Sequence, residues 1–424
     1  MKVLWICNLM PAMFASATGM RPSNKEGWVS GALETVLKHA KEDGIQLAIA
    51  FPMQREEPMH GKVKGVEYFG FVENTAHPEE YDPALASAIG LICEEFHPDV
   101  IHVFGTEFPH TLAMMRVQEW KKRAVVHLQG VMRRCAEEYF GGLPEEVTSE
   151  ATLRDVIRKD SLLRQKEKYE MRADNEEQAL KLADNACGRT DFDKDFFARI
   201  HPDAPYYSLN ENLRPCFYEG VWDQENCDLH TIVLSQGNIP LKGAHVMIEA
   251  LSILKQKYPD IKLCIAGDNI IKGDGPVAYL KRCRYGSYLN SLINKNGLDE
   301  CVRFMGQLKD TEMKELYLSS GIFVMPSFIE NSPNSLGEAM ILGMPCVASK
   351  VGGIPSMASV DEISFVSPGK PDELAQAIEE IFEDRETALK KAAAARKRAA
   401  LSFDREANYK MLKWMYESII KDNL

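Results

Sequence analysis

Several patterns that mark common protein classes are missing from this chain of 424 residues. No run of about 18 apolar residues occurs, so no membrane-spanning helix is predicted. The ten cysteines include no C-x-x-C pair, which indicates neither a zinc site nor a disulfide framework and favours a reducing compartment. The segment from Asn8 to Gly19 contains no G-x-G-x-x-G turn, which argues against a nicotinamide dehydrogenase.

An excess of positive charge is also missing. The net charge is −12, which argues against general binding to nucleic acid. The N-terminal residues MKVLWICNLMPAMF carry a single lysine and a short apolar run, so they predict a first buried strand rather than a signal peptide. With 45% hydrophobic and 26% charged residues, the composition is that of a soluble globular protein, which we expect in the cytoplasm.

Strand-like apolar segments alternate with helical patterns in two series. The first series begins at Val3 and the second near Thr231. The length of 424 residues exceeds one typical core and fits two domains. Alternation of this kind predicts an α/β fold with two doubly wound, parallel, Rossmann-like sheets. In such sheets ligands bind at the carboxyl ends of the strands.

The most informative segment runs from Pro326 to Pro355, with the sequence PSFIENSPNSLGEAMILGMPCVASKVGGIP. Ser332 is a good N-cap and Pro333 suits the first helical position, so a helix is predicted to begin here. The backbone amides of Asn334 and Ser335 would then lie at the positive end of that helix. Such an end binds phosphate readily.

Two glutamates, Glu330 and Glu338, flank this predicted helix start. Two carboxylates beside a bound diphosphate would repel it unless they face its hydroxyl-bearing flanks. We therefore expect sugar hydroxyls against one carboxylate and ribose hydroxyls against the other. The alternative is an ordinary capped helix with two solvated glutamates, since acidic residues are favoured near a helix start.

The segment also resembles a known family. The two glutamates and the residues after them resemble the nucleotide-binding signature of the GT4-type group of retaining glycosyltransferases (glycosyl transferases group 1). The motifs Gly188 to Asp191 and Asn210 to Arg214 resemble a bacterial surface-polysaccharide subgroup of that family. The matching elements are Glu330, Glu338, Ala339-Met340, Gly343-Met344-Pro345 and Val351 to Pro355, preceded by Ser235 to Gly243, Ile265 to Asp268 and Val302 to Gly306. They span about residues 229 to 400.

The resemblance implies the GT-B architecture, in which two Rossmann-like domains face a cleft. The expected boundaries are an acceptor-binding domain at 1–205, a linker at 206–228, a nucleotide-sugar-binding domain at 229–400, and a terminal helix at 401–424 that packs back on the first domain. It also implies that the sugar is transferred with retention of its anomeric configuration and without an enzymic nucleophile. Protein groups would then mainly position and stabilise the reactants.

Roles on the donor side follow from the same resemblance. Glu330 would contact the donor sugar and Glu338 the ribose, while Lys242 matches the family's phosphate-binding lysine; Glu330 and Lys242 are the predicted catalytic residues. The further expected donor-binding residues are Asn334, Ser335, Leu336, Gly243 and Asn238.

One departure concerns positive charge. Many relatives place an arginine where this chain has Gly237-Asn238. A leaving diphosphate without a metal needs donors and positive charge, so Arg189 or Arg214 is expected to compensate. Alternatively, each arginine pairs with a nearby carboxylate, Asp191 or Glu211.

No metal and no cofactor are expected. The D-x-D triplet Asp191-Phe192-Asp193 lies in the loop of Arg189 and not after a strand of the second series. Lys242 and the helix end would take the place of a metal.

The acceptor side is less specific. Gly27 and Trp28 lie in a long loop after the first strand, and Glu107 follows the strand around His102; all are expected acceptor-binding residues. Gln129 stands where many relatives have a histidine. It can donate a hydrogen bond to a sugar hydroxyl but cannot take a proton, which excludes a histidine base at this position.

The sequence therefore predicts a retaining, metal-independent glycosyltransferase that moves a sugar from a UDP- or GDP-linked donor to a glycan or lipid-linked glycan, in surface polysaccharide synthesis. The alternatives are a nucleotide-sugar epimerase of GT-B fold and a non-catalytic carbohydrate-binding protein. Residues 152 to 172 and 390 to 398 are basic in an otherwise acidic chain. They favour peripheral contact with the inner face of the cell membrane, or else form solvated helix faces.

Overall fold

The computed structural model describes residues 1–21, 27–54, 57–271, 273, 275 and 280–423. The chain folds into two compact units, each composed of separate segments. The first unit contains Met1–Arg133, Tyr169–Arg214 and Phe403–Leu424, and the second contains Arg134–Lys168 and Pro215–Ser402.

The first unit is built on an eight-stranded sheet in the order β3-β4-β2-β1-β5-β6-β7-β8. Its strands are β1 (Lys2–Ile6), β2 (Gln46–Met53), β3 (Met59–Val63), β4 (Val66–Val72), β5 (Val100–Phe104), β6 (Ala124–His127), β7 (Ala186–Gly188) and β8 (Tyr206–Ser208). All neighbouring strands are parallel except β3, which pairs antiparallel with β4 at one edge. In the central register Val3 pairs with Leu47 on one side and with Val100 on the other.

The second unit is built on a six-stranded parallel sheet in the order β11-β10-β9-β12-β13-β14. Its strands are β9 (Asp228–Leu234), β10 (Lys262–Ala266), β11 (Val302–Gly306), β12 (Ser320–Met325), β13 (Cys346–Ser349) and β14 (Ser364–Val366). This is the doubly wound order 3-2-1-4-5-6, in which the order reverses between β9 and β12. The carboxyl ends of these two strands lead into the segments Ser235 to Gly243 and Pro326 to Ser335, so the sheet order brings both motifs to the reversal point.

Helices connect the strands in both units. In chain order they are α1 (Ala15–Thr18), α2 (Gly27–His39), α3 (Ala84–Phe96), α4 (Pro109–Met115), α5 (Met132–Glu137), α6 (Glu145–Ser149), α7 (Leu153–Arg158), α8 (Leu162–Leu182), α9 (Asp191–Ile200), α10 (Ala244–Leu254), α11 (Arg284–Lys295), α12 (Asp310–Leu318), α13 (Asn334–Leu342), α14 (Ile354–Met357), α15 (Pro371–Glu383), α16 (Arg385–Ser402) and α17 (Arg405–Asp422).

The predicted α/β fold with two parallel sheets is confirmed, with the antiparallel strand β3 as an addition. The division of the chain differs from the expected boundaries. Arg134–Lys168 packs with the second unit, although the sequence suggested one domain for residues 1–205. Polar contacts hold it there: the Asp155 carboxylate accepts the Arg284 backbone N–H at 2.8 Å, and His245 Nε2 lies 2.8 Å from the Gly141 carbonyl oxygen.

Helix α17 belongs to the first unit. Its buried side chains Leu412, Met415 and Ile419 join the core on one face of the first sheet. The Trp5 indole N–H on β1 donates to the Tyr416 hydroxyl at 2.8 Å. The first and last segments of the chain therefore share one core.

Within the described residues, no helix has both the length and the apolar character needed to cross a bilayer. All ten cysteines are free thiols.

Candidate active site

The loops after β9 and β12 meet at the carboxyl edge of the second sheet. Ser235 Oγ donates to Ser335 Oγ at 3.2 Å, and the Phe328 backbone N–H donates to the Leu241 carbonyl at 2.9 Å. Gly243 has a φ of +69°, and a Cβ there would lie 2.0 Å from the Pro326 carbonyl oxygen. Only glycine allows this approach, so Gly243 shapes the site through its backbone.

The two predicted catalytic side chains, Lys242 and Glu330, are in direct contact. Lys242 Nζ lies 2.6 Å from Glu330 Oε1, and the Ser327 hydroxyl donates to the same oxygen at 2.8 Å. The side chains are 22% and 11% exposed, so both can reach a ligand without unfolding the loops. An ammonium and a carboxylate thus stand side by side at the reversal point of the sheet.

The main chain of Glu330 is held from behind by the Val351–Pro355 segment. The Gly353 N–H donates to the Glu330 carbonyl at 3.0 Å. Gly352 has a φ of +50°, and a Cβ there would lie 1.9 Å from the same carbonyl oxygen. The two consecutive glycines let the backbones approach closely enough to fix the Glu330 loop.

Helix α13 begins one residue later than predicted. Ser332 was expected as the N-cap, but Pro333 occupies that position, with φ −67° and ψ 115°. This extended conformation excludes Pro333 from the helix, while its carbonyl accepts the Leu336 and Gly337 amides at 3.1 and 3.4 Å. Asn334 and Ser335 therefore form the first helical positions, whose N–H groups have no partner within the helix.

Leu336 and Glu338 are both buried in α13. The Leu336 side chain faces the core, so only its main chain can contact a donor. Glu338 lies in the second turn, and the residue is only 2% exposed. It is not the solvated glutamate of the alternative interpretation.

Packing explains why no arginine stands at position 237. A Cβ on Gly237 would lie 2.7 Å from Ile265 Cγ2 and 3.1 Å from the Ala244 Cβ, so no larger side chain fits there. The neighbouring Asn238 is partly exposed and accepts a hydrogen bond from Gln236 Nε2 at 2.9 Å. Of the two positions, only 238 has room for a cation.

Arg189 and Arg214 lie in the first unit, in different surroundings. Arg189 Nη1 lies 3.1 Å from Glu211 Oε2, and both side chains are buried. Arg214 is half-buried, and its stem occupies the space beside Gly27, where a Cβ would lie 2.4 Å from Arg214 Cγ. Arg189 therefore makes the ion pair with Glu211 that the pairing alternative described.

The D-x-D triplet has a structural role in this fold. The Asp193 carboxylate accepts the Arg189 and Thr190 amides at 3.2 and 3.3 Å and the Tyr206 hydroxyl. Thr190 caps helix α9 and Asp193 completes its capping box. Asp193 therefore serves the helix start.

The predicted acceptor residues lie around the carboxyl edge of the first sheet. Trp28 packs against Phe104 with ring centroids 5.3 Å apart. Gln129 Nε2 donates to Glu211 Oε1 at 3.2 Å, and Asn8 Nδ2 donates to Gln129 Oε1 at 3.2 Å.

Glu107 is the remaining predicted acceptor residue. Its Oε2 is buried, with no hydrogen-bond partner among the residues that the structure describes. Burial raises the pKa of this carboxyl.

Sequence reasoning missed the importance of Glu211. It considered Glu211 only as a possible ion-pair partner of an arginine, whereas the carboxylate contacts Gln129 and His127 as well as Arg189. Glu211 could have been predicted from the polar motif Asn210 to Arg214, because it is the acidic side chain in a segment expected to form part of the site.

Comparison with known proteins agrees with this geometry. Residues 228–398 match the model of the family described as glycosyl transferases group 1. This part of the chain is therefore similar to that family.

Individual relatives match the same part. A D-inositol 3-phosphate glycosyltransferase of Corynebacterium urealyticum is 27% identical over 180 residues, which cover 42% of this chain and 41% of the relative. The amylovoran biosynthesis glycosyltransferase AmsK of Erwinia amylovora is 26% identical over 185 residues, covering 42% of each chain. The chain thus spans less than half the length of these curated relatives.

Solved structures extend the likeness to the whole fold. Sucrose-phosphate synthase from Thermosynechococcus elongatus has a TM-score of 0.70 at 15% identity and covers 100% of both chains. Anabaena HepE, solved in complex with UDP, has a TM-score of 0.61 at 18% identity and covers 99% of this chain and 100% of that one. The two α/β units thus have the GT-B fold of these glycosyltransferases.

Proposed function

We propose that this protein is a retaining glycosyltransferase that moves a sugar from a nucleoside diphosphate to a glycan or lipid-linked glycan in surface polysaccharide synthesis. The observation that carries the proposal is the Lys242–Glu330 pair beside the start of α13. It places a cation and a carboxylate beside the first amides of a helix, which have no partner within that helix, and a sugar diphosphate needs groups of these kinds.

The contact between Lys242 and Glu330 supports a particular orientation of the donor. Lys242 would meet a phosphate oxygen while Glu330 meets hydroxyls of the sugar ring, so the bond between sugar and phosphate would lie between the two side chains. Glu338, farther into α13, would then receive the ribose hydroxyls. The amides of Asn334 and Ser335 would hold the diphosphate, whereas the Leu336 amide already donates to the Pro333 carbonyl.

In the proposed reaction the acceptor hydroxyl attacks the anomeric carbon on the face from which the diphosphate leaves. A phosphate oxygen takes the hydroxyl proton. The bond from the anomeric carbon to the phosphate oxygen breaks as the new glycosidic bond forms, so configuration is retained. Lys242 and the α13 amides stabilise the negative charge that develops on the leaving diphosphate.

We propose that no metal takes part. The support is the cation at Lys242 and the structural use of Asp193, whose carboxylate is bonded within the α9 cap. Arg189 or Arg214 would supply the second cation; Arg189 already contacts the Glu211 carboxylate.

Binding and transfer assays test this proposal together. Thermal-shift measurements with UDP, GDP and ADP and their sugars are expected to identify one stabilising nucleotide, and Lys242→Ala should reduce that shift. Transfer to glycan acceptors should then proceed unchanged in EDTA. Donor turnover without any acceptor, giving a changed sugar, would instead indicate an epimerase.

Peripheral contact with a membrane is a separate part of the proposal, supported by helix α7. Leu153, Val156 and Ile157 are 56%, 63% and 72% exposed. Their spacing puts them on one face of the helix. The opposite side carries the buried carboxylate of Asp155, which accepts the Arg284 amide. The helix is thus anchored by a polar group and presents its apolar side chains to solvent.

Basic side chains adjoin this exposed face. Arg158 and Lys159 are exposed at the end of α7. Residues 152–168 carry six basic and three acidic side chains, a net charge of +3 in a chain of −12. Apolar side chains with a basic rim match an anionic bilayer surface. A second copy of this chain fits less well, because the basic rims would face each other.

Vesicle co-sedimentation tests the membrane proposal without requiring activity. The protein should sediment with anionic vesicles at low salt and much less with neutral ones, and salt should release it. Ile157→Gln should weaken sedimentation, whereas the control Val360→Gln, at a site 60% exposed elsewhere in the same unit, should not. Equal behaviour of the two variants would contradict a role for α7.

A further inference from the structure

A chain of hydrogen bonds runs through the interior of the first unit from helix α17 to the carboxyl edge of its sheet. It begins at Trp5 and Tyr416, passes through His102 and ends at His127, which lies beside Glu211. Tyr416 Oη lies 2.8 Å from Trp5 Nε1 and 2.7 Å from His102 Nδ1. His102 Nε2 lies 3.2 Å from His127 Nδ1.

The direction of each bond follows from what each group can donate. An indole nitrogen only donates, so Tyr416 accepts from Trp5. Among the described residues the remaining partner of the Tyr416 hydroxyl is His102 Nδ1, so the hydroxyl donates there. His102 then carries its proton on Nε2 and donates to His127 Nδ1. His127 in turn carries its proton on Nε2.

The protonated Nε2 of His127 faces Glu211. Nε2 lies 3.6 Å from Glu211 Oε1, and both side chains are buried. Burial lowers the pKa of both histidines, in agreement with a neutral chain. The positive partner of the Glu211 carboxylate is thus Arg189, at 3.1 Å from Oε2.

Glu211 uses its remaining acceptor capacity for Gln129. Gln129 Nε2 donates to Glu211 Oε1 at 3.2 Å, and the Gln129 carbonyl oxygen accepts from Asn8 at 3.2 Å. The two contacts fix both the position and the orientation of the Gln129 carboxamide. Gln129 is therefore oriented by Asn8, which follows β1, and by Glu211, which follows β8.

The size of a cavity beside His127 and Glu211 shows which of two roles these residues can have, binding a substrate or positioning other residues. His127 and Glu211 line a cavity of about 30 Å³ together with Trp28, Phe104 and Leu209. A cavity of this size holds a few water molecules at most, since one water needs about 10–15 Å³. A sugar does not fit beside the pair, so Glu211 acts through the residues that it holds.

We propose that Glu211 is a positioning residue for the acceptor side of the reaction: it fixes the Gln129 carboxamide and the Arg189 guanidinium, with neutral His127 packed beside it. The proposal rests on the proposed function, because Gln129 is an acceptor residue only if the protein transfers sugar to an acceptor. A carboxylate can accept from both Gln129 and Arg189, whereas a carboxamide in its place has one accepting oxygen. Replacement by glutamine would therefore release one of the two partners.

The first unit offers a matched control. Glu73 is also buried and contacts a buried histidine, His110, with Glu73 Oε2 3.1 Å from His110 Nδ1. Its second oxygen accepts the His110 backbone N–H at 3.3 Å. Glu73→Gln therefore removes a buried carboxylate that contacts a buried histidine, without touching Gln129 or Arg189.

Steady-state kinetics with both substrates test the proposal. Glu211→Gln should raise the acceptor KM about tenfold, the loss of one charged hydrogen bond, while the Kd for the nucleoside diphosphate stays within about twofold of wild type. Glu73→Gln should change neither constant, although both variants should lower the melting temperature. Equal kinetic effects of the two variants, or a loss of nucleotide affinity in Glu211→Gln, would overturn the positioning role.

A spectroscopic readout keeps this inference separate from the proposed function. In ¹⁵N-histidine NMR spectra of the whole protein, His127 should be neutral with its proton on Nε2. Tyr416→Phe should shift the His102 and His127 signals. A His127 proton on Nδ1 would overturn the inference even in an active enzyme. If no transfer activity is found, the proposed function fails and the acceptor role fails with it, whereas the NMR result still decides whether Glu211 is held as described.

Discussion

At the scale of single residues, Glu330 and Glu338 have different surroundings despite belonging to one motif. Glu330 is partly exposed and pairs with Lys242, whereas Glu338 is buried in α13. The sequence predicted both as ligand-binding residues but could not predict the pair with Lys242. That contact joins positions 242 and 330, and it depends on β9 and β12 being neighbours in the sheet.

The two glutamates should respond differently to the loss of their charge. Glu338→Gln should weaken binding of the free nucleoside diphosphate by about 1–3 kcal/mol if the carboxylate accepts ribose hydroxyls. Glu330→Gln should leave that affinity intact or slightly increase it, because Lys242 is released from its pair, while turnover falls. Calorimetric titration combined with rate measurements checks both. Equal losses of nucleotide affinity in the two variants would contradict the separate roles.

Arg189 shows why some residue roles could not be assigned in advance. A loop arginine and a nearby acidic residue are compatible with either a ligand site or an ion pair. The pair with Glu211 depends on how the segment after β8 approaches the segment after β7. That approach is decided by packing of the whole first unit and not by local sequence.

At the scale of elements, the segment Arg134–Lys168 is held to the second unit by a few buried polar contacts. His245 on α10 is central among them, with Nε2 2.8 Å from the Gly141 carbonyl and Nδ1 3.1 Å from the Tyr285 hydroxyl. Neutral imidazole satisfies both contacts, with a proton on Nε2 and a lone pair on Nδ1. The helical pattern of this segment was predicted, but its attachment depends on contacts distant in sequence.

These contacts predict a pH dependence of stability. Burial lowers the pKa of His245 to about 4, whereas an unfolded chain takes up the proton near pH 6.5. Protonation therefore favours unfolding, and stability is lost as the pH falls from 6.5 towards 4. Between pH 7 and pH 5 the loss should be about 2 kcal/mol.

Urea unfolding of His245→Gln at both pH values checks this prediction. Glutamine retains a donor for Gly141 and an acceptor for Tyr285 but does not titrate, so the variant should lose less stability than wild type on acidification. The same pH dependence in both proteins would show that other groups are responsible.

At the scale of the whole molecule, the two sheets were predictable from the sequence pattern and the family resemblance implied a terminal helix on the first domain, whereas the attachment of Arg134–Lys168 to the second unit was not predicted. Alternating apolar and helical patterns predict parallel sheets wherever they occur. They do not show that residues 403–424 return to the first unit or that Arg134–Lys168 leaves it. The unit that each of these two segments joins depends on which core buries the apolar face of its helices. That is decided by the fold of the whole chain.

Removal of residues 403–424 should therefore disrupt the first unit and spare the second. Tyr409, Leu412, Met415, Tyr416 and Ile419 all lie in the first core, and their burial contributes roughly 10 kcal/mol. That is comparable to the whole stability of a typical domain, about 5–15 kcal/mol.

Calorimetry of the truncated chain should show one remaining cooperative transition. A nucleoside diphosphate that binds should still raise the temperature of this transition, because Lys242, Glu330 and α13 belong to the second unit. A control that lacks only Asn423 and Leu424 should unfold like the full chain. If the truncated protein kept the complete unfolding profile, the last helix would not be part of the first core; if it kept none, the second unit would depend on the first for its stability.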